Sequence, residues 1–150
     1  MTDVHSRETR SYNMSRIRSK DTKIELSVAK ELWNNGLRYR KNNKSVIGKP
    51  DFTFKKIKLA IFCDSEFWHG KDWETQQKRI GTNQKFWIVK IQNNVNRDRL
   101  INEKLTNSGW VVLRFWETDI KKNLIECISI ILENVKYLKQ VPYNNPKSLQ

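Results

Sequence analysis

The sequence predicts one domain of the α/β class, built on a mixed β-sheet. Its 150 residues are enough to bury one hydrophobic core of moderate size. Helical and β-rich patterns follow one another in the order helix, two strands, long helix, strand, helix. Three strands framed by helices are typical of a layered α/β domain, because the apolar faces of the strands must be covered.

The first helix is predicted to begin after Thr22. Thr22 and Glu25, three residues further on, form a capping-box pattern, in which two side chains satisfy free amide groups at the helix start. Apolar side chains then recur every four residues, at Ile24, Val28 and Leu32. This spacing gives the helix one buried face.

A β-hairpin is predicted next, after the polar and irregular residues 37–50. Residues 51–54 alternate between polar and aromatic side chains, and Lys55 and Lys56 can form the turn. Residues 57–63 then form a run that favours a β-strand. A loop with many aromatic and charged residues follows the second strand and extends to about residue 83.

The second half of the chain predicts a long helix, a strand and a last helix. The long helix covers about 84–107, and the strand covers 110–116, where an apolar run indicates burial. The last helix covers about 120–138 and carries one apolar stripe. We therefore expect an N-terminal arm at 1–20, a folded domain at 21–138 and a flexible tail at 139–150.

Composition favours a nucleic acid as the partner. The chain has 29 Lys and Arg against 16 Asp and Glu, which gives a net charge of +13. Six Trp residues and 11% aromatic residues argue against a disordered basic protein. The predicted arm concentrates positive charge, at Arg7, Arg10, Arg16, Arg18 and Lys20.

The sequence also predicts a cytoplasmic protein. It contains no apolar run long enough to span a membrane, and its first residues are polar and basic, unlike a secretory signal. The two cysteines, Cys63 and Cys127, both lie in apolar segments, and we expect them to be reduced.

Two acids are predicted to meet at one edge of the hairpin. Asp51 opens the first strand, and it pairs near Ala60 if the turn has two residues or opposite Phe62 if it has four. Either register places Asp51 on the face that carries Asp64, whereas a one-residue slip separates them. With Glu66, these oxygens could hold a divalent cation such as Mg²⁺. The alternative is that all three are solvated strand-end and loop acids.

The loop after the second acid adds a candidate general acid or base. His69 follows Phe67 and Trp68, and its titration range suits proton transfer to or from water. Aromatic side chains beside a basic surface can stack on bases or insert between base pairs. The alternatives are a histidine with only a packing role and aromatic residues that form a small core beneath the loop.

Two further acids are candidates for supporting roles. Asp98 lies on or beside the apolar stripe of the long helix, so it needs a partner, which we expect to be Arg97, Arg99, a water or a backbone group. An internal salt bridge without function is the alternative. Glu25 either closes the capping box or reaches a site at the sheet edge, and the sequence does not decide between the two.

Taken together, these residues resemble the very short patch repair (Vsr) endonucleases, which nick DNA beside T:G mismatches. The resemblance runs from about Val4 to Asp119, and its strength lies in the order and spacing of many short matches. The matching segments are Arg10-Ser11-Tyr12-Asn13-Met14, Asp21-Thr22 with Glu25, Gly48-Lys49-Pro50-Asp51-Phe52, Phe67-Trp68-His69-Gly70, Phe86-Trp87, Lys90-Ile91, Asn94-Val95, Arg97-Asp98-Arg99, Gly109-Trp110 and Trp116-Glu117.

The resemblance implies a three-layer α/β/α fold like that of restriction endonucleases, and Mg²⁺-dependent hydrolysis of a phosphodiester by a metal-activated water. Asp51 would be the central metal ligand and His69 would assist proton transfer. Glu25 and Asp98 would support the site, through metal-bound waters or by orienting His69. The resemblance further implies a monomer on double-stranded DNA, with mismatch-repair proteins as possible partners. The residues that would contact DNA are Phe67, Trp68 and Trp87, which would insert into the duplex, and the basic arm.

The sequence departs from the family at the segment after the second strand. The usual His-Gly-Cys-Phe-Trp-His is Asp64-Ser65-Glu66-Phe67-Trp68-His69 here, so an acid replaces a histidine and Glu66 replaces a zinc-ligand cysteine. The remaining zinc positions of the family hold Lys71, Trp73 and Thr118. Because structural zinc requires about four Cys or His ligands, we predict that no zinc is bound.

Two other functions remain open on the sequence alone. One is a small restriction-type endonuclease that cuts both strands of a matched site as a dimer, since Asp51 with Asp64 resembles a paired-carboxylate core. The other is a nucleic-acid-binding protein without catalysis, for which the net charge of +13 and the loop aromatics would suffice.

Overall fold

The computed structural model describes residues 22–81 and 83–140. The predicted arm, with Arg7, Arg10, Arg16, Arg18 and Lys20, lies outside the described residues, as do residues 141–150 of the predicted tail. Lys139 and Gln140, which were assigned to that tail, belong to the last helix.

The elements follow the predicted order, with two additions. The helices are α1 (Lys23–Asn34), α2 (Trp73–Gln76), α3 (Gln84–Asn107), α4 (Glu117–Lys122) and α5 (Leu124–Gln140). The strands are β1 (Arg40–Lys41), β2 (Phe52–Phe54), β3 (Leu59–Asp64) and β4 (Val111–Trp116). The predicted last helix is in fact two, α4 and α5, which are separated at Asn123.

The start of α1 follows the predicted pattern only in part. The Thr22 side chain accepts a hydrogen bond from the Glu25 amide, as an N-cap residue does. Val28 and Leu32 are almost completely buried, so the four-residue spacing marks the core-facing side of the helix. The Glu25 side chain is also buried. It forms a hydrogen bond with Asp51 at the sheet edge, in line with the second of its two predicted roles.

The four strands form one mixed sheet in the order β1-β2-β3-β4. The first two pairings are antiparallel, and β3 pairs with β4 in parallel. In the hairpin, Phe52 pairs with Ile61 and Phe54 pairs with Leu59. Continuing this register by one residue places Asp51 opposite Phe62, which is the second of the two predicted alignments.

Helices cover both faces of the sheet, so the predicted three-layer α/β/α architecture is confirmed. On one face, α1, α4 and α5 bury the larger core against β2 and β3, with Leu32, Phe52 and Ile131 fully buried. On the other face, α3 packs Leu105 against Ala60 of β3. This second core is smaller, and polar side chains lie beside it.

Two details of the sheet differ from the prediction. β1 was not predicted, because its two residues, Arg40 and Lys41, lack any apolar pattern and join the sheet only through pairing with β2. β4 was predicted to be buried, but each of its residues is partly exposed, because β4 is the edge strand of the sheet. Cys63 and Cys127 are both free thiols, as predicted.

Within 22–81 and 83–140, none of the helices combines the length and the apolar character that crossing a membrane demands.

Candidate active site

The candidate site lies where β2 begins and β3 ends. A cavity of about 600 Å³ opens there, and its walls include side chains from α1, the start of β2, the end of β3 and the following loop. Antiparallel pairing of β2 with β3 brings those two strand ends to the same edge of the sheet. The predicted site residues that line this cavity are Glu25, Asp51, Asp64, Trp68 and His69.

Asp51 and Glu25 form a pair of carboxyl groups in one wall of the cavity. The backbone amide of Cys63 donates a 2.6 Å hydrogen bond to Asp51 Oδ2, which fixes the Asp51 side chain against the end of β3. Burial raises the pKa of Asp51 to about 7, the Cys63 amide opposes that rise, and the charge of Glu25 adds to it. A buried acid pair of this kind is stabilised by a proton or by a cation.

His69 and Asp98 form a second pair beside the first. The 2.6 Å contact between His69 Nδ1 and Asp98 Oδ2 orients the imidazole ring from the α3 side. Burial by itself lowers the pKa of His69, but the hydrogen bond with Asp98 and the charge of Asp64 outweigh it and raise the pKa. The resulting unit is a histidine held by a carboxylate, an arrangement that fixes the tautomer of a catalytic base.

The position of His69 depends on Gly70. Gly70 has φ +66°, and a Cβ atom there would lie 2.6 Å from a methyl group of Val95 on α3. Only glycine adopts this conformation at so short a distance from the helix without strain. The loop is further tied to α3 by Asn94, whose amide group donates to the Trp68 carbonyl at 3.0 Å. These two contacts place His69 within reach of Asp98.

Asp64 is buried in the cavity wall, but a cation already contacts it. Arg114 Nη1 lies 2.9 Å from Asp64 Oδ2 and 3.8 Å from Asp98 Oδ1. Burial raises the pKa of Asp64, and the charge of Arg114 is the largest effect that opposes the rise. Asp64, His69 and Asp98 each bring a potential ligand atom within 4.8 Å of the others. Arg114 supplies positive charge to two of these three groups.

Arg114 was not among the predicted site residues, although it contacts Asp64 and Asp98. The helix pattern predicted Arg97, Arg99, a water or a backbone group as the partner of Asp98, and the resemblance implied that Asp98 could orient His69. The observed partners are His69 and Arg114. Arg97 instead donates to the side chain of Asn94. The signal for Arg114 was available, since it is the only charged residue in an otherwise apolar strand, and a charge there needs a partner.

Glu66, which was predicted to be a metal ligand, is not among the residues that line this cavity. Its carboxylate accepts hydrogen bonds from the backbone amide of Thr118, at 2.8 Å, and from the Thr118 hydroxyl. Glu66 and Thr118 line a separate cavity of about 1000 Å³ together with Lys71 and Trp73. The four residues at the zinc positions of the family therefore surround one space.

The predicted DNA-inserting residues form a single aromatic cluster, which consists of Phe67, Trp68 and Trp87. Each ring packs edge-to-face on the other two, with centroids 5.2–5.6 Å apart. The Lys90 ammonium group lies 5.3 Å from the Trp68 ring centre. Phe67 remains exposed and the two tryptophans are partly exposed, so these rings pack on one another and still present a surface.

Comparison with known proteins identifies relatives that match most of the chain. The model of the family described as DNA mismatch endonuclease Vsr matches residues 2–75. The chain is 50% identical over 129 residues to the type II nicking enzyme V.NmeDIP of Neisseria meningitidis serogroup C, which covers 86% of this chain and 87% of the relative. It is 54% identical over 106 residues to the type II nicking enzyme V.HpaIIP of Haemophilus parainfluenzae, covering 71% and 75%. It is 39% identical over 121 residues to the DNA mismatch endonuclease Vsr of Escherichia coli (strain K12), covering 81% and 77%.

Proposed function

Since this chain belongs to the Vsr family of DNA mismatch endonucleases and is a DNA endonuclease that nicks one strand, we propose that its nicking requires Mg²⁺ and is directed to T:G mismatches. The observation that carries the proposal is that the Asp51–Glu25 pair lies in the same cavity wall as His69, which Asp98 contacts. The first pair and His69 line one cavity, at the end of the sheet where the aromatic cluster lies.

The residues in the cavity wall fit a magnesium ion. Asp51 and Glu25 offer carboxylate oxygens, which are the donors that Mg²⁺ prefers. Burial is the largest cause of the raised pKa of Asp51, and the charge of Glu25 adds to it, so a cation would stabilise the ionised pair. Held by these residues, Mg²⁺ would act as a Lewis acid and offset negative charge on the phosphate. Asp64 is left out of this ligand set, because Arg114 already contacts it.

His69 would accept the proton of the attacking water. Asp98 accepts the hydrogen bond from His69 Nδ1–H. The other ring nitrogen, Nε2, therefore carries the lone pair that can accept a proton. Attack of this water on phosphorus would break the P–O bond to the leaving strand end, whose oxygen would take a proton from solvent. Asp98 would stabilise the imidazolium until His69 returns its proton to solvent. In this role Asp98 keeps the ring oriented and the correct nitrogen protonated.

The aromatic cluster would recognise the distorted base pair. Apolar rings that insert between base steps separate the stacked bases, which takes less free energy at a mismatch than in a matched duplex. Lys90 beside Trp68 adds a positive charge for the adjacent phosphates. Insertion by Phe67, Trp68 and Trp87 would thus place the mismatch next to the catalytic cavity.

The proposal is tested by single-turnover nicking of duplexes with each strand labelled in turn. One duplex carries a single T:G pair and the other has C:G at that position, and each is assayed with Mg²⁺ or with EDTA. We expect one product, from one strand of the T:G duplex, with Mg²⁺ only. Equal cleavage of both strands of the C:G duplex would instead indicate a restriction-type enzyme, and equal rates in EDTA would exclude the magnesium site.

A further inference from the structure

Arg114 is placed over the catalytic end of the sheet by the parallel pairing of β3 and β4. In that pairing Arg114 lies beside Phe62, two residues before the pair formed by Asp64 and Trp116. Phe62 and Asp64, two residues apart in one strand, face the same side of the sheet. Arg114 therefore shares a face with Asp64, and α3 covers this face.

The Arg114 guanidinium is fixed by four neighbours. Nη1 contacts both oxygens of Asp64, at 3.2 and 2.9 Å, and Nε donates to the Asn102 side-chain oxygen at 2.8 Å. The guanidinium carbon lies 4.0 Å from the Phe62 ring centre, and Asp98 Oδ1 is 3.8 Å from Nη1. The planar, multi-donor shape of arginine suits this set of contacts, and a lysine could make only part of it.

These contacts connect Arg114 to both carboxylates that flank His69. Asp98 contacts His69 Nδ1 with one oxygen and faces Arg114 with the other. The Asp64 carboxylate, which Arg114 contacts directly, lies 3.7 Å from His69 Nδ1. Without the guanidinium, two carboxylates would repel each other and compete for one N–H group, so the imidazole would lose its single orientation.

We propose that Arg114 is a positioning residue for nicking, which holds Asp64 and Asp98 apart so that His69 keeps one orientation. On this reading, Asp64 orients the base together with Arg114 and does not ligate the metal. The inference deepens the proposed function, since it rests on His69 as the base. Misplacing a reacting group by about 1 Å can lower a rate about 100-fold, so a clear kinetic effect is expected.

The test compares Arg114→Gln and Arg114→Lys with the control Arg38→Gln. Arg38 is exposed, contacts Trp33 and lies outside the cavity lining. Single-turnover rates at saturating protein are measured beside the Kd for the same duplex and the thermal midpoint. We expect Arg114→Gln to lower the rate at least about tenfold, Arg114→Lys to lower it less, and the Kd to change less than about threefold.

A double-mutant cycle separates positioning from general destabilisation. If Arg114 acts through Asp64, the variant Asp64→Asn/Arg114→Gln is no slower than Arg114→Gln alone. The inference is overturned if the loss of rate in the double variant equals the product of the losses in Asp64→Asn and Arg114→Gln. It is also overturned if Arg114→Gln nicks within about twofold of the rate of the unaltered protein. If Arg114→Gln does not fold, Arg114→Lys decides, because an unchanged rate there overturns the inference and at least about a fivefold loss supports it.

The proposed function is tested separately, by the nicking activity of the unaltered protein. Rates are compared on whichever duplex that protein nicks, so a loss of mismatch preference or of magnesium dependence does not alter the ratio between variants. An unaltered protein that nicks no duplex overturns the proposed function and the role of Arg114 together.

Discussion

Replacing Asp51 with asparagine should make the metal-free fold more stable while it removes one of the proposed metal ligands. The Asp51 pKa is raised from 3.8 to about 7, which is about three units, and each unit corresponds to about 1.4 kcal/mol between the two protonation states. Keeping the Asp51 carboxyl group ionised in the folded chain above pH 7 therefore lowers the free energy of unfolding by up to about 4 kcal/mol. Because Glu25 can relax, we expect a gain of about 2–4 kcal/mol in the free energy of unfolding of Asp51→Asn.

The sign of the effect depends on pH. The pKa of Asp51 is higher in the folded chain than in the unfolded chain, so the folded state binds the proton more tightly. The cost is absent below about pH 4, grows as pH rises through the range between the two pKa values, and is complete above about pH 7. Asparagine is neutral throughout, and its side-chain oxygen can still accept from the Cys63 amide.

Urea unfolding in EDTA, at about pH 8 and about pH 4, measures this difference. The control is Glu133→Gln, which changes an exposed acid on α5. Asp51→Asn should be more stable than the unaltered protein at the higher pH and nearly equal to it at the lower pH, and the control should show no such change. An Asp51→Asn variant that is less stable at the higher pH would refute the buried acid pair.

Three further predictions concern the base, the aromatic cluster and zinc binding. His69→Ala should lower the single-turnover nicking rate about 10²–10⁴-fold, because the general base is lost, with an unchanged Kd for the duplex; an unchanged rate would exclude His69 as the base. Trp68→Ala should weaken binding of the T:G duplex by about 1–3 kcal/mol and weaken binding of the C:G duplex less, as measured by fluorescence anisotropy; equal losses would separate the aromatic cluster from mismatch recognition. Elemental analysis should find no stoichiometric zinc, and Thr118→Val should lower the thermal midpoint slightly, because Glu66 loses the hydrogen bond from the hydroxyl and keeps the one from the backbone amide, a cost of about 0.5–1.5 kcal/mol. Bound zinc at one ion per chain would contradict the reading of that cavity.

Local patterns predicted most of the elements and much of the site. The long helix was predicted at the observed bounds, since periodic apolar residues and a following glycine define it within one segment. Asp51 and Asp64 were predicted to share a face because a hairpin register is a local property, set here by the four-residue turn at 55–58.

The remaining features depend on contacts between distant parts of the chain. Arg114 meets Asp64 only through the parallel register of β3 and β4, and a helix of 24 residues separates those strands, so no nearby pattern specifies the pairing. Glu66 follows the end of β3 by two residues, and the loop geometry there directs its carboxylate to Thr118 on α4. Sequence spacing alone could not distinguish that direction from one toward Asp51.

The most direct test of the central claim is the nicking rate of Asp51→Asn beside that of the unaltered protein, on the same duplex and with Mg²⁺ at saturation. We expect the variant to fold, to bind the duplex and to nick it at least about 10³-fold more slowly, because the acid pair that would hold the ion is gone. Nicking by Asp51→Asn at the rate of the unaltered protein would contradict the assignment of the catalytic site to this cavity.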